Sequence, residues 1–279
     1  MTSSAMRKIS HFVDCNCATH DPEQLRYLAA QNGYLYFPGL LPVEDVLAVR
    51  SAVLHIADRH SLLRAGLEVG EGIRKEGVYI DVEYDNPKSP ALQRFPHHPM
   101  VMGLIESLLG EPTFVHPRHI CHILFSGRFE HTTGPHQDFH QVGGTQNTWT
   151  VWIPLGDCDS DLGGVALASG SNRRGYLDNA RVISGELLDN QSVWHWNRFS
   201  CGDVLFFNSL TIHQGRDNTT ADRIRLSTSA RYQSIREPVD AAPLTPHWAW
   251  VDWVELYADW DEDEPLKYYW QSLELNIRT

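Results

Sequence analysis

The segment Gly134-Pro135-His136-Gln137-Asp138-Phe139-His140 sets an imidazole and a carboxylate two residues apart. On an extended strand alternate side chains share a face, so His136 and Asp138 would project the same way. One ring nitrogen and one carboxylate oxygen so placed can chelate a metal ion. A second histidine from a distant strand would complete a facial triad and leave coordination positions open. His213 suits that part, because it follows Gly202-Asp203-Val204-Leu205-Phe206-Phe207, a tight turn feeding an apolar strand, and stands just before Gly215. His136, Asp138 and His213 are therefore the expected metal ligands and catalytic residues. The bland alternative is that His136 and Asp138 are structural, since 15 histidines offer many chance pairs.

A helical zinc pair made of His136 and His140 is the rival arrangement. It requires a glutamate directly after the first histidine, where this chain has Gln137. Gly134-Pro135 before and Gly143-Gly144 after also argue against a helix there. The glycine pair would let the following loop move, or would simply make a turn.

Twelve residues after His213 comes Arg225-Leu226-Ser227, inside the expected strand Arg223–Tyr232. Alternation puts Arg225 and Ser227 on one face. A guanidinium fork with a neighbouring hydroxyl matches a carboxylate, and buried together they need an anion. A dicarboxylate could chelate the metal at one end and meet Arg225 at the other. Arg223 shares that face and is the alternative anchor; an internal acid is the alternative partner for Arg225.

These residues need a frame. Asp21-Pro22-Glu23-Gln24 opens a helix carrying Leu25, Leu28 and Ala29, through an N-cap and a proline at the first helical position. Tyr34 to Pro38 reads as a short strand, Pro42-Val43-Glu44-Asp45 starts a longer helix, and Val101, Leu104, Ile105, Leu108 and Leu109 form a helical stripe ending at Gly110. After Pro112 short runs rich in Val, Ile, Phe, Thr and Trp recur between turns: His119–Phe125, Thr148–Leu155, Gly164–Ala168, Asp203–Asn208 and Arg223–Tyr232. Such a series predicts a β-sandwich or barrel with the early helices packed outside it. The expected layout is one domain over 1–279: a helical part at about 20–112, a core at about 113–233 and a Trp-rich C-terminal extension at 234–279, helical or irregular.

From about Gln24 to Tyr232 the chain resembles the phytanoyl-CoA dioxygenase family of iron(II)- and 2-oxoglutarate-dependent oxygenases. The resemblance rests on Gly33-Tyr34-Leu35-Tyr36-Phe37-Pro38-Gly39-Leu40-Leu41 with the Glu44-Asp45-Val46 helix, then His136-Gln137-Asp138, Thr150-Val151-Trp152-Ile153-Pro154-Leu155, Gly164-Val165-Ala166-Leu167-Ala168-Ser169-Gly170-Ser171, and Gly202–Phe207 leading to His213. It implies a mainly β fold, a double-stranded β-helix (jelly roll, cupin-like) with supporting N-terminal helices. It also implies Fe(II) at His136, Asp138 and His213, with 2-oxoglutarate and O2 as cosubstrates. A small organic molecule would be oxidised, by hydroxylation first of all, with release of succinate and CO2. Arg225 and Ser227 would hold the cosubstrate and Trp152 would wall its pocket, while His119 and His122 lie near the site as core histidines or substrate contacts. Halogenating relatives put a small residue where Asp138 stands, so the resemblance favours oxygenation over halogenation. In the family the anchoring arginine stands about eleven residues after the distal histidine, between Arg223 and Arg225 here. Arg225 is preferred because it precedes Tyr232 by seven residues and forms an Arg-x-Ser pair. The insertion from Arg173 to Ser200, with Trp194-His195-Trp196, has no counterpart in the family pattern.

Composition agrees with an enzyme of this kind. Hydrophobic residues make up 42% and charged residues 21% of 279, enough for a buried core and too apolar for a disordered chain. The net charge of −12, with no Lys/Arg-rich run, argues against nucleic acid or an anionic membrane as partner. No apolar run approaches the ~20 residues of a bilayer span, and the N-terminus lacks a secretory signal. The five cysteines suggest neither a disulfide framework nor a zinc site. The expectation is a cytoplasmic protein. Two other readings remain at this level: a non-catalytic jelly roll that binds a ligand, and a cupin-type metal-dependent isomerase.

Overall fold

The computed structural model describes residues 8–78, 85–129, 132–177, 193–248 and 250–278. Its helices are α1 (Pro22–Asn32), α2 (Val43–Arg59), α3 (Pro90–Arg94), α4 (Pro99–Leu109), α5 (Phe139–Val142) and α6 (Trp253–Leu256). Its strands are β1 (Ile9–Ser10), β2 (Tyr34–Phe37), β3 (Thr113–Val115), β4 (Ile120–Leu124), β5 (Trp149–Pro154), β6 (Val165–Ala168), β7 (Trp194–His195), β8 (Val204–Asn208), β9 (His213–Gly215), β10 (Arg225–Ser234), β11 (Val239–Asp240) and β12 (Ile277–Arg278).

Local chemistry sets the helix ends. The Asp21 carboxylate accepts from the backbone N–H groups of Glu23 and Gln24, and Pro22 follows it, so α1 starts where two orphan donors are satisfied. Gly33 ends α1 and Gly110 ends α4 in the left-handed conformation, at φ 75° and 69°. Helix α2 buries Val46, Val49, Val53, Leu54, Ile56 and Ala57 along one side.

Ten of these strands form two facing sheets, and β11 and β12 pair separately. The larger runs β2-β8-β5-β10-β3, with β4 also paired to β10, and the smaller runs β1-β7-β6-β9. This is the double-stranded β-helix, with the N-terminal helices outside. Strand β10 shows the division of labour. Leu226, Ala230 and Tyr232 join the core that also holds Val46 and Val53 of α2, Ile105 of α4 and Val151 and Ile153 of β5. Arg225, Ser227, Ser229 and Arg231, of opposite parity, face the barrel interior. The interior between the sheets is apolar toward one end, where Tyr34, Tyr36, Trp152, Leu205 and Phe207 of the larger sheet meet Val165 and Leu167 of the smaller. At the other end it is polar.

Residues beyond β10 cap that other end. Phe114, Leu256, Tyr257, Trp260 and Trp270 share an apolar cluster. The Trp260 indole donates to the Lys88 carbonyl at 2.8 Å and the Tyr269 hydroxyl to the Val115 carbonyl at 2.6 Å, tying the cap to both helices and sheet. Arg94 and Glu264 form an ion pair across the same junction. Within the 173–200 insertion, residues 178–192 lie outside the described residues. Its described end contributes β7, with Trp194 fully buried and Trp196 beneath the Arg216 guanidinium, 4.4 Å from the ring centre. Among the described residues no helix is long and apolar enough to cross a membrane.

Candidate active site

Two backbone segments meet where β9 begins. His136 and His213 are ladder partners: the His136 N–H donates to the His213 carbonyl at 2.9 Å and the His213 N–H to the His136 carbonyl at 3.0 Å. The rings lie with centroids 4.1 Å apart. Each Nδ1 sits close to a carbonyl two residues upstream, that of Gly134 at 2.9 Å and that of Thr211 at 3.0 Å. A carbonyl only accepts, so both Nδ1 atoms carry the proton and both Nε2 lone pairs are free to ligate. Both Nε2 atoms lie 3.7 Å from Asp138 Oδ1. The donor atoms of His136, Asp138 and His213 fall within 4.8 Å of one another, the spacing of ligands around one metal ion.

The local backbone differs from the expected strand. Only His136 is extended into the ladder. Asp138 has helical angles (φ −62°, ψ −29°) and opens the single turn α5. Its carbonyl accepts from the N–H groups of Gln141 and Val142, and the Phe139 N–H donates to the Ser209 carbonyl. His136 and Asp138 converge because the chain turns from ladder to helix between them, and side-chain alternation does not apply. A short helix forms despite the flanking glycines, which stop it after four residues. Gly143 and Gly144 have φ of 60° and 67°, and a Cβ would fall 1.8 Å from Asp240 Oδ2 at the first and 2.7 Å from the Pro238 carbonyl at the second. The pair meets a demand of close packing against the segment that enters β11.

Asp138 is 1% exposed yet held as a carboxylate. Burial alone would raise its pKa, but Arg231, the two histidines and a Thr150 hydrogen bond hold it well below the ordinary carboxylate range. Thr150 Oγ1 donates to Oδ2 at 2.5 Å and Arg231 Nη2 to Oδ1 at 3.1 Å. Burial pushes His213 down to about 3, so its ring is neutral and available as a ligand.

Deeper along β10, Arg225 is buried, with Nη1 donating to the Gly164 carbonyl at 2.8 Å and the Arg216 carbonyl at 3.3 Å. Its Nε and the hydroxyl of Ser227 are buried without a partner among the described residues. Two unpartnered polar groups on one interior face form a site for an anion. Ser227 stands opposite His122 of β4. Burial, with Arg225 and Arg231 nearby, pushes His122 down to about 3, so it adds no charge. Arg223 precedes β10, bridges to Ile73 and pairs with Asp159 at 2.8 Å, both side chains about two-fifths exposed at 39% and 42%. Arg223 is thus engaged by an acid at a partly exposed position, although it lines one cavity with Arg225. Trp152 lies on the interior face opposite Ser229, packed against Phe199 with centroids 4.8 Å apart. His119 is buried beside His97, with ring centroids 6.1 Å apart.

Sequence reasoning missed Arg231 and Thr150. The signal was available: Arg231 has the parity of Arg225 and Ser227 on β10, Thr150 has that of Trp152 on β5, and the two are ladder partners.

A family model described as phytanoyl-CoA dioxygenase matches residues 29–227. The chain is 26% identical over 263 residues to a 1-deoxypentalenic acid 11-beta-hydroxylase of Streptomyces exfoliatus, covering 85% of this chain and 90% of that protein. A Streptomyces arenae protein of the same name is 26% identical over 262 residues, with the same coverage. Among solved structures, the epimerase SnoN in complex with Fe3+, alpha ketoglutarate and nogalamycin RO shares the fold with TM-score 0.59 at 23% identity, over 77% of this chain and 84% of that one. EctD from S. alaskensis with bound Fe does so with TM-score 0.59 at 16% identity, over 84% and 83%. At these identities the solved structures speak to the fold alone.

Proposed function

The chain belongs to the phytanoyl-CoA dioxygenase family and is an Fe(II)- and 2-oxoglutarate-dependent oxygenase, and we propose that it hydroxylates a small organic molecule through the site just described. His136, Asp138 and His213 hold the iron. Arg225 and Ser227 receive the far carboxylate of 2-oxoglutarate, and Trp152 walls the pocket beside them. When bound, iron and cosubstrate supply the activation of O2 that oxidises a C–H bond, with succinate and CO2 as coproducts. The observation that carries the assignment is the convergence of two Nε2 atoms on Asp138 Oδ1, with both Nδ1 protons committed to backbone carbonyls.

The protein's own work is geometric and electrostatic. The ladder between His136 and His213 fixes the separation of two ligands before metal arrives. Thr150 holds Oδ2 of Asp138, which leaves Oδ1 facing the histidines. The aromatic interior around Trp152 and Phe199 excludes water from the deep end. Hydroxylation is the outcome named for the Streptomyces relatives, and a carboxylate at position 138 is in keeping with it.

Anaerobic titration of the Fe(II)-loaded protein with 2-oxoglutarate tests the reading. A visible metal-to-ligand charge-transfer band is expected, lost in His136→Ala and His213→Ala. No band in the unaltered protein, or full succinate release by Asp138→Ala without an added small carboxylate, sinks it.

A further inference from the structure

Three side chains at the triad carry charge: the buried Asp138 and Arg225, and the mostly buried Arg231. One carboxylate against two guanidiniums leaves a surplus of one positive charge. On the oxygenase reading, on which this inference rests, the site also takes a divalent iron and a dianionic cosubstrate. Those two charges cancel and leave the surplus in place. One cosubstrate carboxylate meets Arg225 and the other, with Asp138, balances the iron, so once iron and cosubstrate are bound the surplus falls on Arg231.

Arg231 is placed to use it. Its side chain is 11% exposed, and its Nε is buried without a partner. Nη1 reaches only the Ser229 hydroxyl, at 3.3 Å, and Nη2 reaches Asp138 Oδ1, the oxygen that both histidines face. Six residues separate Arg225 from Arg231 on one strand, a Cα spacing of about 20 Å, and their guanidiniums are fixed to different partners. Arg231 also lines a small cavity of about 20 Å³ with His116, Arg118, Ile120, Gln141, Val142 and His247. By that measure the closed cavity holds a water molecule or two, so a larger group would meet Arg231 from its metal-facing side. Arg118 adds positive charge there, and its hydrogen bonds run to neutral groups, the carbonyls of Ala242 and Thr245 and the Thr245 hydroxyl. Burial pushes His116 down to about 4, so it is neutral and raises no objection to an anion. A desolvated cationic corner beside the triad binds an anion better than any neutral group.

We propose that the substrate oxidised here carries a carboxylate, and that Arg231 receives it within reach of the metal site, fixing which end of the molecule faces away from the reacting C–H bond. Arg231 is thus a specificity-determining residue for an organic monoacid.

The test uses the anaerobic Fe(II) and 2-oxoglutarate holoenzyme with cyclohexanecarboxylate as probe and cyclohexanecarboxamide as its neutral isostere, followed by calorimetry. The carboxylate should bind about tenfold or more tightly than the amide, that margin should vanish in Arg231→Gln, and Arg231→Lys should restore part of it. The charge-transfer band and Co(II) affinity are measured on the same proteins. Equal binding of acid and amide, or an unchanged preference in Arg231→Gln, overturns the proposal. So does an Arg231→Gln protein that loses Co(II) or 2-oxoglutarate affinity instead, since Arg231 would then serve Asp138 or the cosubstrate. A missing band in the unaltered protein is a different failure and strikes the oxygenase reading itself.

Discussion

Replacing Arg225 separates the two arginines that the sequence left in competition. In the structure Arg225 Nε and Ser227 Oγ are buried without partners, and only Nη1 is engaged by carbonyls. A carboxylate there gains at least one charge-assisted hydrogen bond and one from a hydroxyl. Bonds to charged groups contribute about 1.5–3 kcal/mol, which corresponds to roughly ten- to a hundredfold in affinity. Arg225→Lys keeps the charge but loses the fork, and Arg225→Gln loses both. Each should raise the apparent KM for 2-oxoglutarate by that factor, Gln more than Lys, while Co(II) affinity stays close to that of the unaltered protein. Arg223 is bound to Asp159 at an exposed position, where an ion pair contributes at most about 1 kcal/mol to stability and nothing to the cosubstrate. Arg223→Ala should leave the KM within about twofold. The assay is succinate release against 2-oxoglutarate concentration, with a thermal melt on each variant to exclude simple unfolding. A large KM effect in Arg223→Ala with none in Arg225→Gln refutes the reasoning.

Three further outcomes follow from the structure. On the proposed ligation the Asp138 carboxylate would take the coordination position that chloride needs, so mass spectrometry should find oxygenated and no chlorinated product even in excess chloride; a chlorinated product overturns this. His116 is fully buried with its pKa depressed to about 4 by desolvation, against about 6.5 unfolded. Its contribution to stability is therefore complete above 6.5 and lost as pH falls toward 4; at pH 5 the loss is about 2 kcal/mol. The melting temperature should fall from pH 7 to pH 5, and less steeply in His116→Asn; parallel curves would contradict this. Asp21→Ala removes the cap of α1 and should cost about 1 kcal/mol in urea unfolding with no change in 2-oxoglutarate KM.

What could be read from the chain followed physical period. Helix α1 was legible because Asp21 and Pro22 mark its start, and β5 and β10 because runs of strand-forming residues are bounded by turns. The three residues that the structure brings together, His136, Asp138 and His213, were legible as residue types in order. Their geometry was not: Asp138 gains its direction from a helical turn closed by tertiary contacts to Ser209 and Asp240, and no local pattern encodes those. Gly143-Gly144 looked like freedom and is confinement, because what forbids a side chain there is a strand about a hundred residues away in sequence. Arg231 escaped notice for the opposite reason. Alternation along β10 pointed to it, but an arginine near the far end of that strand gains meaning only once Asp138 is seen beside it.

The ladder between His136 and His213 also bears on how the protein comes to be folded. The two histidines are about 80 residues apart, so closing that loop is an entropic cost which the chain must meet before any nitrogen pair can share an ion. In the denatured ensemble His213 is far from the His136–Asp138 pair, and a metal finds at most two neighbouring donors to grip. Ion binding therefore enters at the end of folding, as mass action on the finished barrel, stabilising it by RT ln(1 + [M]/Kd) without guiding its assembly. Metal should slow unfolding and leave the refolding rate unchanged. A cell can make this barrel first and supply its iron afterwards.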